Sequence, residues 1–147
     1  ARILSQASNQ VILMFKNQMW SDERHWYGIY EHIINAGFPK EKLAAIHRGF
    51  APGHEDNPYN LRNLPDYEMA MRMKEKMGIQ MLLDPSHIAG HRDKVLQIVE
   101  ESKSYDWDGY IIEVHNHADN FKTDSKQHIS IEQFKEFLDL ISFESRL

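Results

Sequence analysis

Residues 81–87 read Met-Leu-Leu-Asp-Pro-Ser-His, a short apolar run that opens directly into a carboxylate, a hydroxyl and an imidazole. Working outward, the chain repeats the arrangement. Val11–Phe15 ends in Lys16-Asn17, Leu43–Ile46 in His47-Arg48-Gly49, and Tyr110–Ile112 in Glu113-Val114-His115. Continuous apolar runs of this length are expected of strands buried on both faces of a parallel sheet. Helical stretches separate the four runs. Strands alternating with helices, with chemically capable residues at the strand C-terminal ends, form the pattern of a (β/α) barrel, whose active site is built from loops on one face.

The length bounds how much of a barrel is present. The chain has 147 residues, 41% of them hydrophobic, enough for one domain spanning residues 1–147. A complete (β/α)8 TIM barrel takes roughly 250 residues, about 31 for each βα unit, so this α/β chain accommodates about four units and reads as a half-barrel. The net charge of −5 argues against nucleic acid as a ligand, because phosphate-backbone binders carry a basic face. No apolar run approaches the ~20 residues that span a bilayer, and no secretory signal pattern opens the chain; no membrane association and a cytoplasmic location are expected. The chain has no cysteine, so disulfides and thiolate metal sites are excluded within it.

Local signals delimit the helices. Ser21 or Asp22 can cap a helix with Trp26, Ile29, Tyr30, Ile33 and Ile34 on its apolar face, stopped by Gly37 and Pro39. Asp66 begins a second helix that runs to about Met77 and Gly78, a third spans about His91–Ser104 with Val95, Ile98 and Val99 inward, and Ser130 caps a last one carrying Phe134, Phe137, Leu138 and Ile141. Two long polar connections, 50–65 and 116–127, exceed the usual βα loop and have the length of functional loops. The tryptophans and methionines read as core or helix-packing residues. A flavodoxin-like open sheet shares the same alternation.

The strand exits carry the chemistry. Glu113 and His115 are two apart on an expected strand, so both side chains point to one face. His87 closes the Asp-Pro-Ser-His turn, where Pro85 removes a donor and fixes the backbone. Imidazole nitrogen with carboxylate oxygen suits a divalent metal, namely Mn, Fe, Co or Zn; His25, His32 and His128 read as solvated. Lys16 at the end of a buried strand calls for an anion, and Arg48 before Gly49 offers a planar fork to phosphate or carboxylate. The alternative is structural: Lys16 and Arg48 pairing with Asp84 and Glu113 in an ion network.

Five ordered motifs then resemble one family. Ile46-His47-Arg48-Gly49-Phe50, Arg62-Asn63-Leu64-Pro65, Asp84-Pro85-Ser86-His87-Ile88-Ala89-Gly90-His91-Arg92, Glu113-Val114-His115 and Asp124-Ser125-Lys126-Gln127 follow the order and spacing of 3-deoxy-D-arabino-heptulosonate 7-phosphate (DAHP) synthase. The second motif and His47-Arg48-Gly49-Phe50 look most like the bacterial form fused to a chorismate mutase domain. The resemblance spans about Val11 to Ile141 and implies the last four strands of a TIM barrel. It further implies condensation of phosphoenolpyruvate (PEP) with erythrose 4-phosphate, the first step of aromatic biosynthesis, with His87, Glu113 and Asp124 as metal ligands. Lys16 and Arg48 would hold the PEP phosphate and carboxylate, Arg2 would add a phosphate contact, and His115 would orient ligands or move a proton.

The family's cysteine ligand and its Lys-Pro-Arg-[Ser/Thr] motif are absent from this sequence, so the isolated chain is expected to lack turnover. Three rival readings stay open: 3-deoxy-D-manno-octulosonate 8-phosphate (Kdo 8-phosphate) synthase, a metal-dependent hydrolase, and a non-catalytic half-barrel module. Unpaired sheet edges recruit partners, and a homo-oligomer is expected.

Overall fold

The four apolar runs assemble into one parallel sheet. A computed structural model describes residues 2–6, 11–52, 57, 59–116 and 126–142. Strands β1 (Leu13–Lys16), β2 (Leu43–His47), β3 (Gln80–Leu83) and β4 (Gly109–Tyr110) lie side by side in chain order, each parallel to the next. Helix α1 (Glu23–Asn35) links β1 to β2, and α2 (Tyr67–Met77) links β2 to β3. Helices α3 (Pro85–Ala89) and α4 (Arg92–Ser102) follow β3, and α5 (Ile131–Ser142) follows β4. Right-handed crossovers between consecutive neighbours place every linking helix on one side of the sheet, as in a barrel wall. A doubly wound open sheet reverses its strand order part-way; this sheet does not, and the flavodoxin-like alternative falls.

Strand alternation then sorts the side chains. Phe15, Leu43, Ala45 and Met81 pack against Trp26, Ile33, Met69, Met73 and Met77 from α1 and α2. A second cluster joins Leu83 and Ile129 to Ile88, Val95 and Ile98. The opposite face, which lines the interior of a barrel, is more open: Met14 is 49% exposed, and Ile46 and Leu82 are half-buried.

Caps hold the helices where the sequence placed them. Asp22 accepts from the His25 amide at 3.0 Å, which holds its carboxyl below the usual carboxylate range. Asp66 accepts from Met69 N at 2.9 Å. Ser130 and Gln133 form a reciprocal capping box, side chain to amide in each direction.

Three expectations need correction. The fourth strand, expected over Tyr110–His115, pairs with β3 only at Gly109–Tyr110. Beyond it, Glu113 N donates to Ser86 Oγ, and the chain pairs with Ile129 instead (His115 N to Ile129 O, 3.0 Å; Ile129 N to Glu113 O, 2.9 Å). Leu138 faces solvent, because Phe134 and Phe137 fill the packed side of α5. Met19 and Trp20 are exposed in the β1–α1 connection rather than in the core.

Candidate functional site

The β3 exit is built around Asp84. Its amide donates to His47 O at 2.9 Å, tying it to the end of β2. Its Oδ1 accepts from His87 N at 3.0 Å and caps α3, a five-residue helix with Pro85 in its first turn. The sequence reading treated this stretch as a turn. A proline breaks helices in general but fits the first helical position, so the two readings share one signal. The cap leaves Asp84 Oδ2 2.8 Å from His87 Nδ1, a short electrostatic contact that lies off the axis of a ring N–H donor. The other imidazole nitrogen, Nε2, lies 3.6 Å from Glu113 Oε1.

Glu113 is held from its far side. Its Oε2 accepts from Gln127 Nε2 at 2.7 Å and lies 3.3 Å from His128 Nε2. Gln127 is fully buried, and its Oε1 accepts from Arg62 Nη1 at 2.6 Å. His128, read from sequence as solvated, is instead largely buried against Glu113 and stacks with His115, ring centroids 6.2 Å apart and planes 23° apart. Glu113 and His115 therefore do share a face, with His128 between them. Gln127 and His128 were missed as site residues; the only sequence signal was that Gln127 ends the Asp124–Gln127 motif and His128 follows it.

The long 50–65 connection is clamped to two strand exits. Asn63 Nδ2 donates to Arg48 O at 3.0 Å and to His87 O at 3.1 Å. The Arg62 and Asn63 amides both reach Ile88 O, and Phe50 and Leu64 exchange backbone hydrogen bonds of 2.8 Å. This close approach needs glycine at two positions. Gly49 (φ +71°) and Gly90 (φ +66°) are left-handed, and an added Cβ would lie 2.8 Å from Asn63 Cβ and 2.4 Å from Arg62 Cβ respectively.

His47 belongs to this framework, not to the open rim. It lies between the Trp26 and Trp107 rings, and its Nε2 accepts from Asp66 N at 3.1 Å, at the cap of α2. Burial pushes its pKa down to about 3, so the ring is neutral.

The remaining candidates are placed as follows. Lys16 is the last residue of β1, exposed, in register with Ile46 two residues before Arg48. It makes no ion pair among the described residues. Asp84 and Glu113 engage His87, Gln127 and His128 instead, so the structural ion network does not form around Lys16. Arg48 is buried just beyond β2, and its carbonyl is gripped by Asn63. Arg2 is exposed, ahead of a single 3₁₀ turn over Leu4–Gln6. Asp124 lies outside the described residues.

The donor chemistry fits a divalent cation. A gap of 3.6 Å is wide for a hydrogen bond, but it suits an imidazole nitrogen and a carboxylate oxygen sharing one ion at about 2.0–2.2 Å each. Asp84 Oδ2 lies behind the imidazole, 2.8 Å from Nδ1, on the side where a ligating histidine usually has a supporting carboxylate. No group of three His, Cys, Asp or Glu able to hold a metal occurs among the described residues. His87 Nε2 and Glu113 Oε1 are two donors that could share a cation.

A parallel sheet with strands in chain order, and with imidazole, carboxylate and cationic side chains on its C-terminal rim, is part of a (β/α)8 barrel. The chain matches the DAHP synthetase I family over residues 2–145, and it belongs to that family. It is 28% identical over 139 residues to phospho-2-dehydro-3-deoxyheptonate aldolase of Thermotoga maritima, covering 93% of this chain and 39% of the relative. The crystal structure of phospho-2-dehydro-3-deoxyheptonate aldolase (DAHP synthase) from that organism superposes with a TM-score of 0.79 at 25% identity, over 90% of this chain and 37% of that one. A truncated form of 3-deoxy-D-arabino-heptulosonate 7-phosphate synthase, also from Thermotoga maritima, gives 0.77 at 25% identity, over 92% and 48%. The chain therefore spans less than half the length of the relatives it matches. Among the described residues, no helix is long and apolar enough to cross a membrane.

Proposed function

We propose that this chain supplies the cation- and PEP-binding part of the rim of a 3-deoxy-7-phosphoheptulonate synthase, which condenses PEP with erythrose 4-phosphate. The observation that carries the reading is the convergence of His87 Nε2 and Glu113 Oε1 to 3.6 Å from separate βα units. In the reaction C3 of PEP attacks the aldehyde carbon, water adds at C2 of the former PEP, and phosphate leaves. A bound divalent cation (Mn, Fe, Co or Zn) supplies Lewis acidity at the aldehyde.

The chain's own side chains do the rest. His87 and Glu113, with Asp124, hold the cation. Lys16 and Arg48, on adjacent strand exits, offset the phosphate and carboxylate charges that would otherwise keep two anionic substrates apart, and Arg2 adds a phosphate contact. His115, stacked on His128 beside Glu113, orients the carboxylate and can move a proton there. The relatives' names favour erythrose 4-phosphate over the arabinose 5-phosphate of a Kdo 8-phosphate synthase. The family reading supports a cytoplasmic location, and the look of His47-Arg48-Gly49-Phe50 and Arg62-Asn63-Leu64-Pro65 supports a fused or associated chorismate mutase domain in the parent protein. A homo-oligomer belongs to the same proposal, and light scattering tests it.

PEP titrated calorimetrically with Mn²⁺ present tests the reading. Binding is expected, and Lys16→Ala should abolish it without changing the melting temperature, because Lys16 is exposed and unengaged among the described residues. PEP binding unaltered by that substitution would overturn the assignment and favour a metal-dependent hydrolase. A coupled assay of PEP consumption should detect no turnover by these 147 residues alone, which lack the cysteine and the Lys-Pro-Arg-[Ser/Thr] motif.

A further inference from the structure

Gln127 has an unusual assignment for a buried amide. Its carbonyl oxygen accepts from Arg62, which can only donate, and its NH₂ donates to Glu113 Oε2. No other side chain of this length joins a donor on one side to an acceptor on the other. Glutamate would satisfy Arg62 but set two carboxylates together; leucine would satisfy neither. The amide orientation is therefore fixed by its partners, and the hydrogen bonds run in one direction from guanidinium to amide to carboxylate, each polarising the next.

The consequence lies at the far end. Glu113 has two oxygens with different surroundings: Oε2 is engaged by Gln127 and lies beside His128, while Oε1 faces His87 Nε2. We infer that Arg62 and Gln127 are positioning residues that commit Glu113 Oε2 and so present Glu113 to a cation through Oε1 alone. This rests on the reading that His87 and Glu113 hold the cation. One-oxygen presentation favours small ions with directional demands, whereas Ca²⁺ accepts carboxylates with either one or both oxygens at longer distances. The relay thus selects among cations as well as orienting a ligand.

The test reads metal binding without turnover. Mn²⁺ affinity is measured by electron paramagnetic resonance of the free ion, and Ca²⁺ affinity by calorimetry, on the unaltered chain and on Glu113→Ala, Gln127→Leu, Arg62→Ala and Arg62→Lys. Gln127→Leu is expected to weaken Mn²⁺ roughly 10–100-fold, the usual effect of losing a group that orients a ligand. Ca²⁺ should change much less, because the released Oε2 becomes available to it. Arg62→Ala, which leaves the buried amide in place and guards against a misfolded Gln127→Leu, should shift the Mn²⁺/Ca²⁺ ratio the same way, and Arg62→Lys should restore part of it. Equal losses for both ions, or none, would overturn the inference while leaving the cation reading intact. Mn²⁺ binding that is absent or indifferent to Glu113→Ala would overturn the cation reading, and the inference with it.

Discussion

Asn63 joins the two strand exits through a single nitrogen, so its replacement separates shape from chemistry. Nδ2 donates to Arg48 O at 3.0 Å and His87 O at 3.1 Å, and the side chain is buried. Asn63→Ala removes both hydrogen bonds and strands two carbonyls, a loss of about 2–3 kcal/mol at roughly 1 kcal/mol per bond plus partial desolvation. At about 2–4 °C per kcal/mol for a domain near this size, the midpoint should fall by roughly 4–12 °C. Asn63→Asp keeps the shape but aims a carboxylate at two carbonyl oxygens, leaving an uncompensated buried charge that costs about 3–5 kcal/mol. The isosteric substitution should therefore be the worse of the two. It should also recover partly on acidification, because a protonated carboxyl regains one donor. Thermal melts followed by circular dichroism at pH 7 and pH 4.5 measure both effects. Equal stability of Asn63→Asp and Asn63→Ala at pH 7 would refute the argument that Nδ2 clamps the exits.

Other perturbations follow from the same framework. His47 is neutral in the fold, with its pKa pushed down to about 3 by burial, against about 6.5 when unfolded. The unfolded chain thus binds the extra proton, so this contribution to stability is fully present above pH 6.5 and is lost as the pH falls toward 3, with a slope up to about 1.4 kcal/mol per pH unit. Urea midpoints should decline from pH 6.5 to 5, and His47→Gln, which still offers an acceptor to Asp66 N, should flatten that decline; an unchanged slope would rule His47 out as its source. Gly90→Ala should destabilise by at least about 1–3 kcal/mol from its left-handed backbone alone, with more from the 2.4 Å approach to Arg62 Cβ. It should also weaken Mn²⁺ binding, since Arg62 must move; a neutral substitution would contradict the close docking of this loop.

Continuous apolar runs followed by abrupt polarity needed no tertiary information, which is why the exits of β1, β2 and β3 were legible. The starts of α1, α2 and α5 were legible too, because Asp22, Asp66 and Ser130 act on amides three residues away; that of α3 was read as a turn. Gln127 was not: it bridges groups 65 and 14 residues distant, and no local pattern records such a contact. His128 read as solvated for the same reason, since its partners Glu113 and His115 arrive from another segment. The fourth strand was read too long because apolar content marks burial, not pairing. After Ile111, whose amide still donates to Leu83 O of β3, the backbone hydrogen bonds pass to Ser86 and Ile129. The Arg62–Pro65 motif was legible as a resemblance, but its role as a clamp emerged only from the carbonyls it holds.

Crystals soaked in Mn²⁺ and measured at the manganese absorption edge address the site most directly. An anomalous peak is expected within about 2.0–2.3 Å of both His87 Nε2 and Glu113 Oε1, distances typical of imidazole and carboxylate ligands. A peak elsewhere on the rim, or none at saturating Mn²⁺, would contradict the assignment of these two side chains as cation ligands.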